Sequence, residues 1–162
     1  MRKAELLRAA FVAALPEFAR DPDRLVMFVD KGRLVARRSE AFGYEWRYTI
    51  RVEFHDFTGS PDAIAVPLLL WLRDHQPDLM MNFGTANDAI GFAADILDDK
   101  TWDVAIAFEL SEAVALERTM GGWSVQPLPE PLPDDPLLDG ALCEVPLGEI
   151  WLGDTLLLDR KP

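Results

Sequence analysis

The chain has 162 residues and a mass of 18.2 kDa, room for one domain and a tail. Apolar residues make up 49% and charged residues 27%, enough to build a core and too apolar for wholesale disorder. The net charge of −12 argues against general binding to DNA, RNA or anionic membranes, which requires cationic groups to displace counterions.

Residues 3–18 are expected to form an amphipathic helix, because Leu7, Ala10, Phe11, Ala14 and Phe18 recur at three- and four-residue steps. Asp21-Pro22-Asp23 ends it. Leu25–Val29 and Arg33–Arg37 are expected as the arms of a hairpin, turning at Asp30-Lys31-Gly32. The clearest strand is 44–54. Tyr44, Trp46, Tyr48, Ile50, Val52 and Phe54 alternate with charged residues and Thr49, which puts one face on a core and leaves the other wet.

Ser60 is the expected N-cap of the next helix and Pro61 its first residue. Residues 62–75 are apolar almost all round, so burial on most sides is expected, with a kink or a late start at Pro67. Residues 91–98 and 101–110 form a second hairpin about Asp98-Asp99-Lys100. Val114–Arg118 and Trp123–Gln126 flank Met120-Gly121-Gly122 as a further pair. Five prolines between Pro127 and Pro136 mark an extended linker. The apolar residues beyond it, from Leu137 through Leu142 and Ile150 to Leu158, are expected to dock on this domain or on a neighbour. The division is therefore 1–127, an α+β domain, and 128–162, a linker and docking tail.

Cys143 is the single cysteine, which excludes an internal disulfide and a zinc site of the multiple-cysteine type. The N-terminus lacks a signal-peptide core, and the longest apolar run, Ala63–Leu72, is ten residues against the roughly twenty of a membrane helix. A soluble chain, intracellular when made, is expected. Charge is uneven: residues 1–38 are net +4, 39–86 net −4 and 87–162 net −12, an arrangement suited to head-to-tail contacts between copies or simply to solubility.

No catalytic set stands out. His55 and His75 lack metal-ligand spacing. Asp95, Asp98, Asp99 and Asp103 cluster about a turn, where Asp is common for backbone reasons. Ser60 lacks a nucleophile elbow and Gly121-Gly122 stands alone. No residue is therefore expected to act in catalysis, metal binding or cofactor binding. Two other classes stay open: a small-molecule-binding or enzymatic α+β domain built on the aromatic stripe and the Asp95–Asp103 acids, and an acidic DNA-mimic inhibitor.

Several segments, in order, resemble one family. They are Lys3–Ala10 with Ala13–Glu17, Phe28–Arg33, Tyr44–Thr49, Asp56–Gly59, Val66–Arg73, His75–Leu79 and Phe92–Asp99. This set, over roughly residues 1–130, is similar to the tail completion protein R family of contractile-tailed temperate phages. The resemblance implies an α+β, mostly antiparallel fold flanked by two helices, like that of tail terminators, with an extended C-terminal tail. It implies a structural protein of a phage or prophage virion tail, made in the host cytoplasm, that caps the tail tube and prepares head joining. Expected partners are copies of itself in a ring (usually six-fold), the tail tube protein and head-tail connector proteins. Arg33, Arg37, Arg38, Arg47, Arg51 and Trp151 are the candidate contact residues.

Overall fold

A computed structural model describes residues 1–38, 42–81, 88–130 and 149–159, the side chains of Arg37, Arg38, Glu149, Ile150, Leu152, Leu158 and Asp159 excepted. Most of the Pro-rich linker, Leu137, Leu142 and Cys143 lie outside the described residues. The fold is α+β. In chain order come α1 (Arg2–Ala14), α2 (Pro16–Arg20), a 3-10 turn (Pro22–Arg24), β1 (Leu25–Arg38), β2 (Phe42–Phe57), α3 (Asp62–His75), α4 (Asp78–Met81), β3 (Ile90–Ile96), β4 (Trp102–Thr119), β5 (Gly122–Pro127), β6 (Glu149–Leu152) and β7 (Thr155–Asp159).

The expected first helix is divided at Leu15, which adopts φ −118°, ψ 88°. Pro16 is the cause: its ring drives the preceding residue out of helical geometry and it offers no N–H. The expected hairpin at Asp30-Lys31-Gly32 does not form. β1 runs straight through, antiparallel to β2 from Leu25↔Phe54 to Arg38↔Phe42. Asp30 is absorbed as a bulge between the pairs Val29↔Ile50 and Lys31↔Thr49. The long alternating strand β2 offers a partner to every residue of the segment, and that pairing outweighs the turn signal of Gly32. Likewise the two short strands expected at 101–110 and 114–118 are one eighteen-residue strand, β4.

The main sheet is antiparallel in the order β1-β2-β4-β3, with β5 on β4 beyond β3. One face carries Tyr48, Ile50, Val52, Phe54, Val104, Ile106, Phe108 and Leu110, all buried. α1 and α3 both cover this face and touch one another. Phe54 is edge-on to Phe11 at 4.9 Å and to Phe18 at 5.4 Å between ring centroids. Each such buried side chain contributes roughly 1.5–3 kcal/mol.

Helix α3 runs unbroken through Pro67, starting after Pro61, not Ser60, in the cap position. Ser60 still accepts the Asp62 N–H, at 3.3 Å. The helix is not buried on most sides. Ala63, Ile64, Pro67, Leu68, Trp71 and Leu72 form the buried stripe, and Leu69 and Leu70 are left facing out. β6 and β7 make a separate hairpin, and β7 lies against α3.

Asp56 sets the end of β2. Its φ of 51° is left-handed, and the pairing shifts by a residue between Phe54↔Val104 and Phe57↔Trp102. Phe57 thereby turns into the core instead of out of it. The Arg24 guanidinium holds this shape by donating to the carbonyls of His55, at 3.0 Å, and Asp56.

Candidate assembly surface

The apolar face of the sheet outruns its helices. β4 spans roughly 60 Å at about 3.3 Å per residue. The far halves of β1–β2 and β4–β5 therefore project side by side as an arm. Register places Leu34, Trp46 and Val114 on the same face as the core, together with Phe42, Val125 and Trp123. Leu34 is 57% exposed and Trp123 60%, and Phe42 and Val125 are exposed as well. Phe42 and Trp123 touch, with ring centroids 5.8 Å apart. In the outer part of the arm, beside Phe42, Gly43 lies so close to β4 that a Cβ there would overlap the Val114 carbonyl oxygen.

Polar groups anchor the arm to the body. Along one edge of β4, β3 covers Trp102–Phe108 and β5 covers Val114–Thr119, leaving a gap between them. Gln76, just past α3, fills it. Its Oε1 accepts the Ser111 N–H at 3.0 Å and Lys3 Nζ at 2.7 Å, and its Nε2 donates to Asp78 at 2.6 Å and Ser111 Oγ at 3.1 Å. Lys3 also meets Glu130, at 2.6 Å, where the chain leaves β5. Beside them the Tyr48 hydroxyl donates to Glu112, whose other oxygen accepts the Arg2 N–H at 2.9 Å. Burial first, then this bond, pushes the Tyr48 phenol well above its ordinary range.

The candidate contact residues fall in different places. Arg33 and Arg47 are directly opposite one another on the open face, and Arg51 stands further along it. Like charges directly opposed are unfavourable. Arg47 is compensated by a fork onto the buried Glu45, at 2.9 and 3.1 Å, and Arg51 by Glu53 at 2.8 Å. Arg37 and Arg38 lie on the outer part of β1, their side chains outside the described residues. Trp151 is exposed on β6, in the other sheet. Of the arm aromatics, Tyr44 and Trp46 belong to the stripe visible in the sequence, whereas Phe42 and Trp123 do not. Trp123 next to Gly121-Gly122, and Phe42 at a strand start, were the available signals.

The model of the family described as P2 phage tail completion protein R (GpR) matches residues 1–131. The chain belongs to this family. The tail completion protein R of Escherichia phage P2 is 35% identical over 137 residues, 85% of this chain and 88% of that protein. No solved structure matches. The family match ends at the exit from β5, so β6 and β7 lie beyond it.

Family membership leaves the enzymatic and DNA-mimic alternatives without support, and the geometry counts against the first. Tyr44 and Trp46 stand at the arm, whereas Asp103 pairs with Asp95 near the other end of β4. Asp103 is held below the usual carboxylate range, chiefly by the Asp56 N–H at 2.9 Å, and Asp98 by the N–H of Lys100 at 2.8 Å. These acids stabilise backbone turns. Among the described residues no group of three His, Cys, Asp or Glu is placed to hold a metal ion, and no helix is long and apolar enough to cross a membrane.

Proposed function

We propose that this protein is a non-enzymatic structural component of a phage or prophage tail, which completes the tail tube and prepares it for head joining. It assembles as a ring of copies, six-fold by the family resemblance, against the tail tube protein on one side and head-tail connector proteins on the other. It works in the virion tail after synthesis in the host cytoplasm. Residues 1–127 supply the ring, and 128–162 a strap that docks on it.

Membership of the tail completion protein R family carries this reading. Among the described residues nothing covers the apolar face of the arm, and this supports it, since exposed contiguous apolar surface marks a site of protein contact. The test is deletion of the gene from a phage or inducible prophage that carries it. Free heads and unjoined tails are expected by electron microscopy, with restoration by the wild-type gene. The Trp123→Asp variant, folded by circular dichroism, is expected to restore less than about a tenth of the joined particles, a loss equivalent to about 1.4 kcal/mol of contact. Joined, infectious particles from the deletion would overturn the reading.

A further inference from the structure

Among the described residues, both outer edges of the main sheet are open: β1 bounds one side and β3 the other. Their charges are opposite. β1 carries Lys31, Arg33, Arg37 and Arg38 against Asp30, net +3. Residues 90–103, comprising β3, its turn and the start of β4, carry Asp95, Asp98, Asp99 and Asp103 against Lys100, net −3. β3 itself is poorly guarded. It has a single charge, Asp95, no proline and no register shift, and its Phe92 and Ile96 are 60% and 68% exposed. Open edges of this kind invite another strand, and monomeric proteins ordinarily block them with charge, proline or a bulge. Beside β3 an apolar groove of about 220 Å³, lined by Ile64, Leu68, Leu69, Ile90 and Phe92, extends the same bare surface onto α3.

We infer that β3 of one copy pairs edge to edge with β1 of the next, so that the sheet continues from subunit to subunit. The inference rests on the ring reading and names its interface. Pairing the β3 edge with its own copy would oppose the acids of residues 90–103, −3 to −3, and pairing β1 with β1 would oppose +3 to +3. Only β1 against β3 joins opposite signs. Because the two edges are different surfaces, the contact is heterologous: each copy keeps one edge free for the next, and a ring results where the rotation closes. Main-chain hydrogen bonds supply the contact, and the charges select register and partner. Val29 and Leu34 of β1, both exposed and on the core face of the sheet, meet Phe92 and Ile96 of β3, which lie on that same face.

The test uses three full-length proteins: the wild type, K31E/R33E and D95K/D99K. All four positions are exposed, so the fold is retained, which circular dichroism checks. Sedimentation across concentration, at about 0.1 M salt, reads assembly. The wild type is expected to assemble, and each variant alone to require at least about tenfold higher concentration. An equal mixture of the variants is expected to assemble again, since each reversed β1 faces a reversed β3 and each unaltered edge finds its unaltered counterpart. Backbone amides of 90–96 and of β1 are expected to gain protection from hydrogen exchange on assembly. If the wild type assembles and the variants do so equally well, or the mixture fails to recover, the edge pairing is overturned and the ring stands. A wild type that stays monomeric at every concentration and does not bind purified tail tubes overturns both.

Discussion

Tyr48 shows how one hydroxyl couples the first turn of α1 to the root of the arm. Its ring is buried in the core and its oxygen donates to Glu112, which in turn accepts the Arg2 N–H. Tyr48→Phe is expected to cost about 1.5–3 kcal/mol, the usual value for a bond to a charged group, read by urea unfolding near neutral pH. The pH dependence has a definite sign. The folded protein raises the Tyr48 pKa, so it favours the protonated form. That stability is fully present below the ordinary tyrosine pKa of about 10 and is lost as pH rises above it. The same unfolding measured at about pH 10.5 is expected to show a decline in the wild type that is smaller in the Tyr48→Phe variant.

At the scale of elements, Gln76 replaces a strand. It satisfies the bare Ser111 N–H in the gap between β3 and β5 and holds the buried Lys3. Gln76→Ala is expected to destabilise the protein by about 2–4 kcal/mol, because it leaves a half-buried amide and a buried ammonium short of partners. Gln76→Glu is expected to recover part of this by pairing with Lys3, and thermal unfolding of both variants checks the order. None of this was legible in the sequence, since Gln76, Ser111 and Lys3 are far apart and no periodicity links them. What was legible was periodic. The two-residue alternation of 44–54 located β2 and its inward face, and the apolar run 62–75 located α3, although Pro61 takes the cap position expected of Ser60 and the helix runs unbroken through Pro67. Local turn signals misled at Asp30-Lys31-Gly32, where a long partner strand absorbed the extra residue as a bulge. They succeeded at Asp98–Lys100, where Asp98 caps the turn. Of the candidate contacts, the basic character of β1 was visible in composition. The bare edge of β3 was not, because edges are defined by sheet order, which sequence spacing does not state.

On the scale of the whole molecule, two kinds of surface are separated. The sheet edges carry opposite charge, and the arm carries exposed apolar side chains. Salt distinguishes them. Raising it from about 0.1 M to about 1 M shortens the screening length from about 10 Å to about 3 Å. Self-assembly through the edges is expected to weaken, read as a rise in the concentration for half-assembly by light scattering. Strengthening with salt would point instead to the apolar arm as the self-contact. The length of β4 has an evolutionary corollary. Because it runs uninterrupted from the acidic turn to the tip of the arm, inserting two residues into it and its neighbours would lengthen the reach while preserving inside and outside. Adding one would turn every later side chain over, exchanging the greasy surface for the wetted one. The reach of this protein is therefore retuned in even steps, or in odd ones only where a bulge takes up the extra residue, as Asp30 does in β1.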